Sequence, residues 1–487
     1  MADLQSTNRV KLSKVREATF GLTPASPAFK TQRQTSSSLA FNPQTTTSSE
    51  IRSDRQVTDL ILVGMQAGGD VGHEVSFNAV DDDLEEAMQG TWSSNPSITV
   101  VTADTEIGDV SATTITVAAG GAAFVAGMLA LTSGFGTSGN NKVARVVSST
   151  ATTVVFAAAT YTVEAVVPVG AALRAVGFAG VAGDIVATAS GVTSTTLNFT
   201  TLGLSPGEWV RIGGATVGSQ FATAANSGWA RIATVAANAI TFGVLPAGWT
   251  TDAGTGKTIE VYTGDFLVNG STKRSSTFER QYLDHAPVTY EYLTGMVADQ
   301  LTVTAQAQAI ATYTVQYVGA GGQAVTTRAA GATDVVAPTK AVLNTSSNVG
   351  RIGFGGAAIT GPNYVTSAAF TINNNLRRQN AVGSLAAVGV GNGEFSVTGT
   401  LETYFGDASV LGKILDNSLT SYDLRLGRAD GNREQIVFDF PSIKLGSGSP
   451  AVSGKNADVM LSAGFTAIMD ATLGYTMSAG RFWYLPN

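Results

Sequence analysis

The stretch Gly72-His73-Glu74-Val75-Ser76-Phe77-Asn78 begins the pattern that decides the fold. Its alternating Val75 and Phe77 predict a β-strand, and the acidic run at 81–88 that follows predicts a short amphipathic helix. About 320 residues later the chain reads Gly393-Glu394-Phe395-Ser396-Val397-Thr398, followed by a second helical pattern at 407–415. The shared order of polar turn, strand and helix predicts that one β-rich module occurs twice.

Composition favours short strands and tight turns over long charged helices. Of the 487 residues only 13% are charged, 44% are hydrophobic and 55 are glycine. Such a composition predicts a mainly-β chain, and a chain of this length has room for roughly two to four domains.

Charge and cysteine content exclude several classes of function. The net charge is −7 without a long basic run, which argues against sequence-specific nucleic-acid binding. The absence of cysteine removes disulfides, thiolate chemistry and cysteine-based zinc sites. The polar, acidic first residues and the lack of any long apolar run predict neither a secretory signal nor a membrane-spanning segment.

The segment 99–263 differs in composition from its surroundings, and this difference predicts an insertion. It is poor in charged residues, rich in Ala, Thr, Val and Gly, and repeats within itself after about 80 to 86 residues. The matching pairs are 113–117 with 195–199, 127–131 with 207–212, 140–146 with 226–232, and 153–156 with 239–242. Two tandem small all-β domains are therefore expected within it.

These patterns together predict the division of the chain. We expect an extended N-terminal arm or loop at 1–57, a first module split into 58–98 and 264–320, inserted β domains at 99–180 and 181–263, a connector at 321–362, and a second module at 363–487. Each module is expected to be β-rich and to contain one short helix.

The sequence nominates no catalytic, cofactor-binding or metal-binding residues. His73 and His285 lie in different predicted turns without the partners that a nucleophile and base require, so we expect both to be solvated. The acidic run at 81–86 lacks the glycine and spacing of a calcium loop, and its position in the first turn of a helix already explains it. A non-enzymatic protein is the prediction.

A phosphate-binding loop is also excluded, although Gly254-Thr255-Gly256-Lys257-Thr258 resembles the end of one. The first glycine of that motif would have to stand at Thr251. The residues at 259–262 continue as a predicted strand, where a helix N-terminus would be needed to meet the phosphate. A plain turn is expected.

Read in order, several stretches resemble the long, duplicated type of tail tube protein (major tail protein) of long-tailed, non-contractile bacteriophages. The resemblance covers roughly 49–92 and 265–487 but not the insertion, and no single motif in it carries chemistry. The stretches are 49–56, 72–77, the helix at 84–88 with Trp92, 269–270, 277–284, 292–296, 370–376, 393–405 and 440–445.

The resemblance implies a structural virion protein without cofactors, assembled in the bacterial cytoplasm. Rings of such subunits stack into a hollow tube through which genomic DNA passes without specific binding. The resemblance implies that each module is a β-sandwich with one short flanking helix, and two modules per chain imply trimeric rings with pseudo-sixfold symmetry. Expected partners are the chain itself, the tape measure protein inside the tube, and tail terminator and tail tip proteins at its ends.

Three residue-level expectations accompany this reading. A ring that joins neighbouring sheets would protect their edge strands. An acidic lumen wall would repel phosphate and let DNA slide. The arm at 1–57 and the connector at 321–362 would order on the next ring.

Two alternatives remain open. The insertion could bind host glycans, for which Trp209 and Trp229 look exposed. A cell-wall hydrolase would need a pair of carboxylates at a defined separation, and the sequence nominates no such pair.

Overall fold

The computed structural model describes residues 4–359 and 361–487. The first three residues of the predicted arm, and position 360 of the predicted connector, lie outside the described residues. Strands hold 47% of the residues and helices 7%, which confirms the mainly-β prediction. The two α-helices are α1 (Asp81–Ala87) and α2 (Ser409–Leu415).

The strands of the described residues, in chain order up to the end of the insertion, are β1 (Val10–Arg16), β2 (Ala28–Thr31), β3 (Gln34–Ser37), β4 (Ala40–Thr47), β5 (Leu60–Glu74), β6 (Ser97–Thr99), β7 (Ile107–Val110), β8 (Thr114–Val117), β9 (Met128–Ser133), β10 (Val143–Ser149), β11 (Thr153–Phe156), β12 (Ala172–Ala179), β13 (Val186–Ala187), β14 (Gly191–Thr193), β15 (Trp209–Ile212), β16 (Gly228–Ala236), β17 (Ala239–Val244) and β18 (Glu260–Thr263).

The remaining strands are β19 (Asp265–Val268), β20 (Ser276–Tyr282), β21 (Thr289–Gln306), β22 (Thr312–Gly319), β23 (Gly321–Val325), β24 (Thr333–Val335), β25 (Val349–Phe354), β26 (Ala357–Ala358), β27 (Val365–Asn373), β28 (Arg377–Gln379), β29 (Gly389–Gly391), β30 (Ser396–Tyr404), β31 (Leu419–Gly427), β32 (Gln435–Ser447), β33 (Pro450–Ala451), β34 (Met460–Ala467) and β35 (Ser478–Phe482). Short 3-10 turns lie at Thr7–Arg9, Gly121–Ala123, Ser138–Asn140, Phe199–Thr201, Val217–Ser219 and Ala224–Asn226.

The first module is a sandwich whose two sheets share the long strand β21. The N-terminal half of β21 pairs with β20 and β23, and β20 continues through β1 and β2 to β24. The C-terminal half of β21 pairs with β22, which continues to β5 and then to β3 and β4. The helix α1 packs on β21.

The second module repeats this arrangement strand for strand. Here β25 takes the place of β1, β26 of β2, β27 of β4, β30 of β5, β31 of β20, β32 of β21, β34 of β22 and β35 of β23. The helix α2 packs on β32, as α1 packs on β21. The duplication inferred from the sequence is therefore present in the pairing of the strands.

The N-terminal region differs from the extended arm predicted at 1–57. Four strands, β1 to β4, occupy most of 10–47, and Leu12 of β1 and Leu39 before β4 are buried in the main core. The Ser, Thr and Gln of this region concealed the strands because they lie on edges and outer faces, where polar side chains are tolerated. The predicted connector likewise contains the short strands β23 to β26.

The stretch 67–72 has the glycine content that predicts a turn, and that prediction is wrong, because β5 runs unbroken through it. The glycines permit close approach of neighbouring strands. A Cβ on Gly69 would lie 2.5 Å from the Ser38 carbonyl oxygen, and one on Gly72 would lie 2.6 Å from the Ser36 hydroxyl. The first quoted stretch begins in the last residues of β5, and its Val75 and Phe77 lie beyond the strand, whereas Gly393 precedes β30. The two quoted stretches therefore do not occupy equivalent positions, although the helices after them do.

The insertion forms a 13-stranded sheet from β6 to β18. Its two repeats are joined because β12 of the first pairs with β18 of the second, with Phe178 opposite Val261. A single apolar cluster runs through both repeats and includes Ile115, Phe178, Phe199 and Ile232. The turn that resembles a phosphate-binding loop leads into strand β18, as expected.

The second module has an aromatic core centred on Phe370 of β27. Its ring lies 5.1 Å from the rings of both Phe438 and Phe440, and the side chain is 1% exposed. Tyr422 and Phe465 extend the same cluster. Strand β27 is therefore fixed by the aromatic residues of β32.

We predict that Phe370→Ala lowers the free energy of unfolding by about 3 to 5 kcal/mol, because it removes a fully buried ring and leaves a cavity. Denaturant unfolding followed by circular dichroism measures the loss. The matched control is Thr400→Ala, on an exposed position of the neighbouring strand, which should cost less than about 0.5 kcal/mol. Equal losses in the two variants would contradict this account of the core.

Candidate assembly interfaces

The two modules are joined by a continuous β-sheet. Residues 300–306 of β21 pair in antiparallel register with 367–373 of β27, from Gln300 opposite Asn373 to Gln306 opposite Ser367. We call the five neighbouring strands β22, β21 (C-terminal half), β27, β30 and β34 the joint sheet. Strands β22 and β21 come from the first module, and β27, β30 and β34 come from the second.

One face of the joint sheet is dry across the module boundary. Leu301 and Val303 of β21 lie beside Phe370 and Ile372 of β27, and all four are at most 1% exposed. On the opposite face the hydroxyl oxygens of Thr302 and Thr371 lie 2.9 Å apart. The joint is thus held by backbone hydrogen bonds, apolar burial on one face and a polar cross-strand contact on the other.

The acidic run at 81–86 forms ion pairs within the chain. Lys14 of β1 places its Nζ 2.6 Å from Asp83 Oδ1 and 2.9 Å from Glu86 Oε2, and all three side chains are nearly inaccessible to solvent. The hydroxyls of Tyr313 and Tyr317 donate to Asp83. These contacts fix α1 against both sheets of the first module.

The pKa values in this cluster reflect its net negative charge. Burial lowers the pKa of Lys14, but the charges of Asp83 and Glu86 outweigh burial and hold it above its usual range. Burial opposes the ionised form of Asp83, yet its pKa is lowered by Lys14. Burial raises the pKa of Glu86, the third member. The cluster is accordingly built around the Lys14–Asp83 ion pair.

The other acids of the run reach further elements. Asp82 pairs with Lys30 of β2 at 2.6 Å, and Glu85 pairs with Arg16 of β1 at 2.7 Å. Asp81 pairs with Arg481 of β35. No group of three or more histidine or carboxylate side chains suited to a metal ion occurs in residues 4–359 and 361–487.

A second joint connects the modules at the C-terminal strand. Strand β35 pairs with β19 from Asp265 opposite Arg481 to Val268 opposite Ser478. The fully buried Asp265 accepts hydrogen bonds from Arg481 Nη2 at 2.6 Å and from Trp483 Nε1 at 2.7 Å. Because Arg481 also contacts Asp81, this joint connects strand β35 to helix α1.

The insertion is fixed to the second module through Arg425 of β31. Its guanidinium carbon lies 4.4 Å from the ring centre of Trp209 and 4.3 Å from that of Trp229, so the cation is sandwiched between two indoles. Burial lowers the pKa of Arg425 to about 9, so the side chain remains a cation at neutral pH. The Trp229 ring also meets Phe482 edge-on at 4.9 Å.

This contact corrects the expectation that Trp209 and Trp229 are exposed. Trp209 is 3% exposed, and Trp229 is partly buried against the second module. The burial of both tryptophans could not be predicted, because the sequence does not show which distant residues cover them. The residues that motivated glycan binding by the insertion are therefore part of an intramolecular contact.

The two histidines have different surroundings. His73 is not in a solvated turn: it lies in β5, is 4% exposed and stacks on Tyr313 with ring centres 4.6 Å apart. Burial lowers the pKa of His73. His285 lies in an exposed turn as predicted, with Nδ1 2.9 Å from the Thr289 hydroxyl.

Within the described part of the chain, the sheet that contains the joint sheet has an edge without a partner strand at each of its two ends. At one end, strand β4 pairs with β5 on one side, and no other described strand pairs with it. At the other end, Leu445 and Ser447 of β32 pair with β34 only, and β33 beyond them also pairs with β34 only. These two edges belong to the same two strand positions that pair inside the chain as β27 and β21.

We predict that Lys14→Met lowers the free energy of unfolding by about 3 to 5 kcal/mol, because it leaves Asp83 and Glu86 buried without their cation. Chemical denaturation monitored by tryptophan fluorescence provides the measurement. Lys30→Met is the matched control: Lys30 and Asp82 are 31% and 41% exposed, so breaking their pair should cost at most about 1 kcal/mol. A Lys14→Met variant as stable as the control would contradict the buried-pair account.

We also predict a pH dependence from Glu208, which is 4% exposed beside the second module. Burial raises its pKa from 4.5 to about 8; the Ser205 N–H opposes this shift and the charge of Asp265 adds to it. The folded chain therefore holds a proton that the unfolded chain releases above pH 4.5. Stability should fall as the pH rises from about 4.5 to 8 and then level off.

Thermal unfolding across this pH range tests the assignment. Glu208→Gln should remove part of the decline, whereas Glu50→Gln, at an exposed position, should leave it unchanged. A decline of the same size in the Glu208→Gln variant would show that another group causes it.

Comparison with known proteins agrees with this architecture. The model of the family described as phage tail tube protein matches residues 7–233 and 211–467, one match for each half of the chain. No curated protein matches the chain. Among the described residues, no helix has the length and apolar character needed to span a membrane. Because the two family matches together extend over most of the sequence, the chain belongs to the phage tail tube protein family.

Proposed function

We propose that this chain is a non-enzymatic structural protein that assembles into stacked trimeric rings, and that these rings form a tube through which phage DNA reaches the host. The observation that carries the proposal is the pairing of β21 with β27. This pairing joins two modules edge to edge, and it leaves the equivalent edges of the same chain without a partner strand among the described residues.

The duplicated strand order indicates how a second copy would fit. Inside the chain, the C-terminal half of β21 receives β27. Strand β32 of the second module corresponds to β21 of the first module, and β4 of the first module corresponds to β27 of the second. The end of β32 in one copy is therefore suited to receive β4 of the next copy. Three chains joined in this way would form a ring of six similar modules.

A proline in β4 limits which strands can pair with its outer edge. Pro43 lies opposite Met65, whose N–H donates to the Leu385 carbonyl at 2.7 Å and so points away from β4. In such a pair the nitrogen atoms of both residues face outwards, so Pro43 offers no donor at the outer edge of β4. A proline at this place limits non-specific strand pairing while the rest of the edge stays available.

Contacts between rings are proposed at the hairpin formed by β4 and β5. Its turn and the first residues of β5 expose Ile51, Val57 and the run Leu60–Val63. Exposed apolar residues in a contiguous stretch mark an interaction surface. The β28–β29 hairpin of the second module lies beside it through the Met65–Leu385 hydrogen bond. We propose that both hairpins contact the adjacent ring.

The division of the chain remains part of this proposal. The first module would comprise 58–98 and 264–320 together with β1 to β4, β23 and β24, and the second would comprise 363–487 together with β25 and β26, which leaves the residues between β24 and β25 as the connector. The inserted halves 99–180 and 181–263 would form one unit beside the second module. The tube belongs to the virion tail and would be assembled in the host cytoplasm, with a tape measure protein inside and terminator and tip proteins at its ends.

We predict that Gly446→Pro with Ser447→Pro blocks assembly. Backbone donors alternate between the two sides of a strand, so one proline removes a donor from the open edge of β32 and the other removes one on the side of β34. A Cβ at position 446 would meet no neighbouring atom within 4 Å. The control is Val452→Pro with Ser453→Pro, which changes exposed residues outside the strands of the same connection.

Electron microscopy of the purified chains at high concentration distinguishes the outcomes, and circular dichroism monitors folding. Unchanged chains and the control should form hollow tubes, and the Gly446→Pro, Ser447→Pro variant should remain dispersed. Tubes formed equally well by that variant would refute the proposed edge contact, and dispersed unchanged chains would refute the tube itself.

A further inference from the structure

Strand β1 and helix α1 bring one amine and two carboxyl groups together inside the first module. Asp83 and Glu86 are three residues apart on α1 and therefore lie on one face of the helix. That face meets Lys14, whose Nζ is 2.6 Å from Asp83 Oδ1 and 2.9 Å from Glu86 Oε2. The three side chains are 6%, 2% and 3% exposed for Lys14, Asp83 and Glu86, so bulk water does not separate them.

Hydroxyl groups hold both carboxyls in position. The Tyr313 hydroxyl donates to Asp83 Oδ2 at 2.9 Å. The Tyr317 hydroxyl lies 3.1 Å from Asp83 Oδ1 and 3.4 Å from Glu86 Oε2, so it bridges the two acids. The Ser276 hydroxyl donates to Glu86 Oε1 at 3.0 Å. All four carboxyl oxygens therefore have a fixed donor, and the amine has a fixed direction of approach.

The second module packs its helix without buried charge. Helix α2 contains no Asp or Glu and meets the main core with Val410, Leu411 and Ile414. Strand β25, the counterpart of β1, contains no lysine. Apolar side chains alone thus suffice to pack a helix on this kind of sandwich, without the cost of desolvating three ionisable groups. The buried amine and carboxyls of the first module indicate a role beyond packing.

We propose that Lys14 and Asp83 condense to a covalent amide and that Glu86 transfers the protons. The nitrogen of Lys14 attacks Cγ of Asp83, a C–N bond forms, and the bond between Cγ and Oδ1 breaks. One ammonium and one carboxylate become one amide and one water, so the charges cancel and no oxidant or other co-reactant enters. The product links β1 to α1 through the interior of the first module.

The geometry brings the reacting atoms together. Cγ of Asp83 lies one bond beyond Oδ1, so Nζ of Lys14 is close to the separation of roughly 3 to 3.5 Å at which positioned groups react. Addition of the amine places negative charge on Oδ2, where the Tyr313 hydroxyl already donates. A cavity of about 10 Å³ beside Lys14, Asp83 and Tyr313 has about the space that the released water requires.

The protons also have a path. The nitrogen of Lys14 loses two protons between ammonium and amide, and Oδ1 of Asp83 gains two and leaves as water. Glu86 Oε2 accepts from Nζ, and the Tyr317 hydroxyl connects Oε2 with Oδ1, so Glu86 returns to its starting form. Burial lowers the pKa of Lys14, although the neighbouring acids hold that pKa above its usual range, and burial raises the pKa of Glu86. Burial thus favours both the uncharged amine and a protonated Glu86.

The amide would close residues 14–83 into a covalent loop. This loop contains β2, β3, β4 and β5, and β1 at its start pairs with β20. The N-terminal strands could then not detach from α1 when the chain is heated or pulled. Because the reaction takes place within one chain, the inference does not depend on the proposed tube.

Mass spectrometry of the purified, denatured full chain tests the cross-link. The chain should be lighter by one water molecule, and trypsin should release a branched peptide that joins 12–16 to 56–142 through Lys14 and Asp83. Lys30 and Asp82 are the internal control, because their paired atoms are also 2.6 Å apart but the side chains are 31% and 41% exposed. No branched peptide should pass through that pair. A full mass, or loss of water without the branched peptide at Lys14, would overturn the cross-link.

Two variants test the roles of the groups. Lys14→Arg keeps a positive charge but has no nucleophilic amine, so it should keep its full mass. Glu86→Gln keeps the amine and Asp83 but cannot take a proton, so the cross-linked fraction should grow about a hundredfold more slowly after expression begins. An unchanged rate in the Glu86→Gln variant would overturn the role of Glu86. Circular dichroism shows whether each variant folds, and if neither folds, the branched peptide of the unchanged chain decides.

Discussion

The requirement that an edge strand find a partner governs this structure more than any other constraint. An unpaired strand edge exposes backbone donors and acceptors that bind any suitable chain. Within the molecule, β21 and β27 are paired at seven residue positions. This pairing joins one sheet of the first sandwich to one sheet of the second. In the assembly proposed above, β4 and the end of β32 obtain the same kind of partner from another copy of the chain.

Buried charge plays a complementary part, because it sets the orientation of elements that apolar packing alone would leave adjustable. The Lys14–Asp83 pair orients α1 against β1, and Arg481 connects Asp81 with Asp265 across the two modules. The sandwich of Arg425 between Trp209 and Trp229 similarly orients the insertion. Desolvation makes such pairs costly to form and more costly to break, so they favour one arrangement over its alternatives.

The sequence predicted the fold class, both helices and the strand after the turn at 254–258, because these depend on local periodicity and turn chemistry. The duplication was also predicted, but the two quoted stretches are not equivalent, because the repeat lies in the order of strand pairing. The sequence failed at 10–47 and 67–72, where polar or glycine-rich residues form strands only because distant strands lie beside them. It also misjudged His73, Trp209 and Trp229, whose burial depends on contacts with residues far away in the chain. The pairing of β21 with β27 could not be predicted, since register emerges only when both strands are placed. The family resemblance, by contrast, rested on the order of several stretches, and the family matches confirm it.

The central claim is that one sheet passes through both modules of a chain and continues into the next chain. A cryo-electron microscopy map of the assembled tube, at a resolution that separates strands, tests this claim most directly. The account predicts three chains per ring, with β4 of each chain beside the end of β32 of its neighbour. A ring of six chains, or a map in which these two edges face solvent, would contradict it.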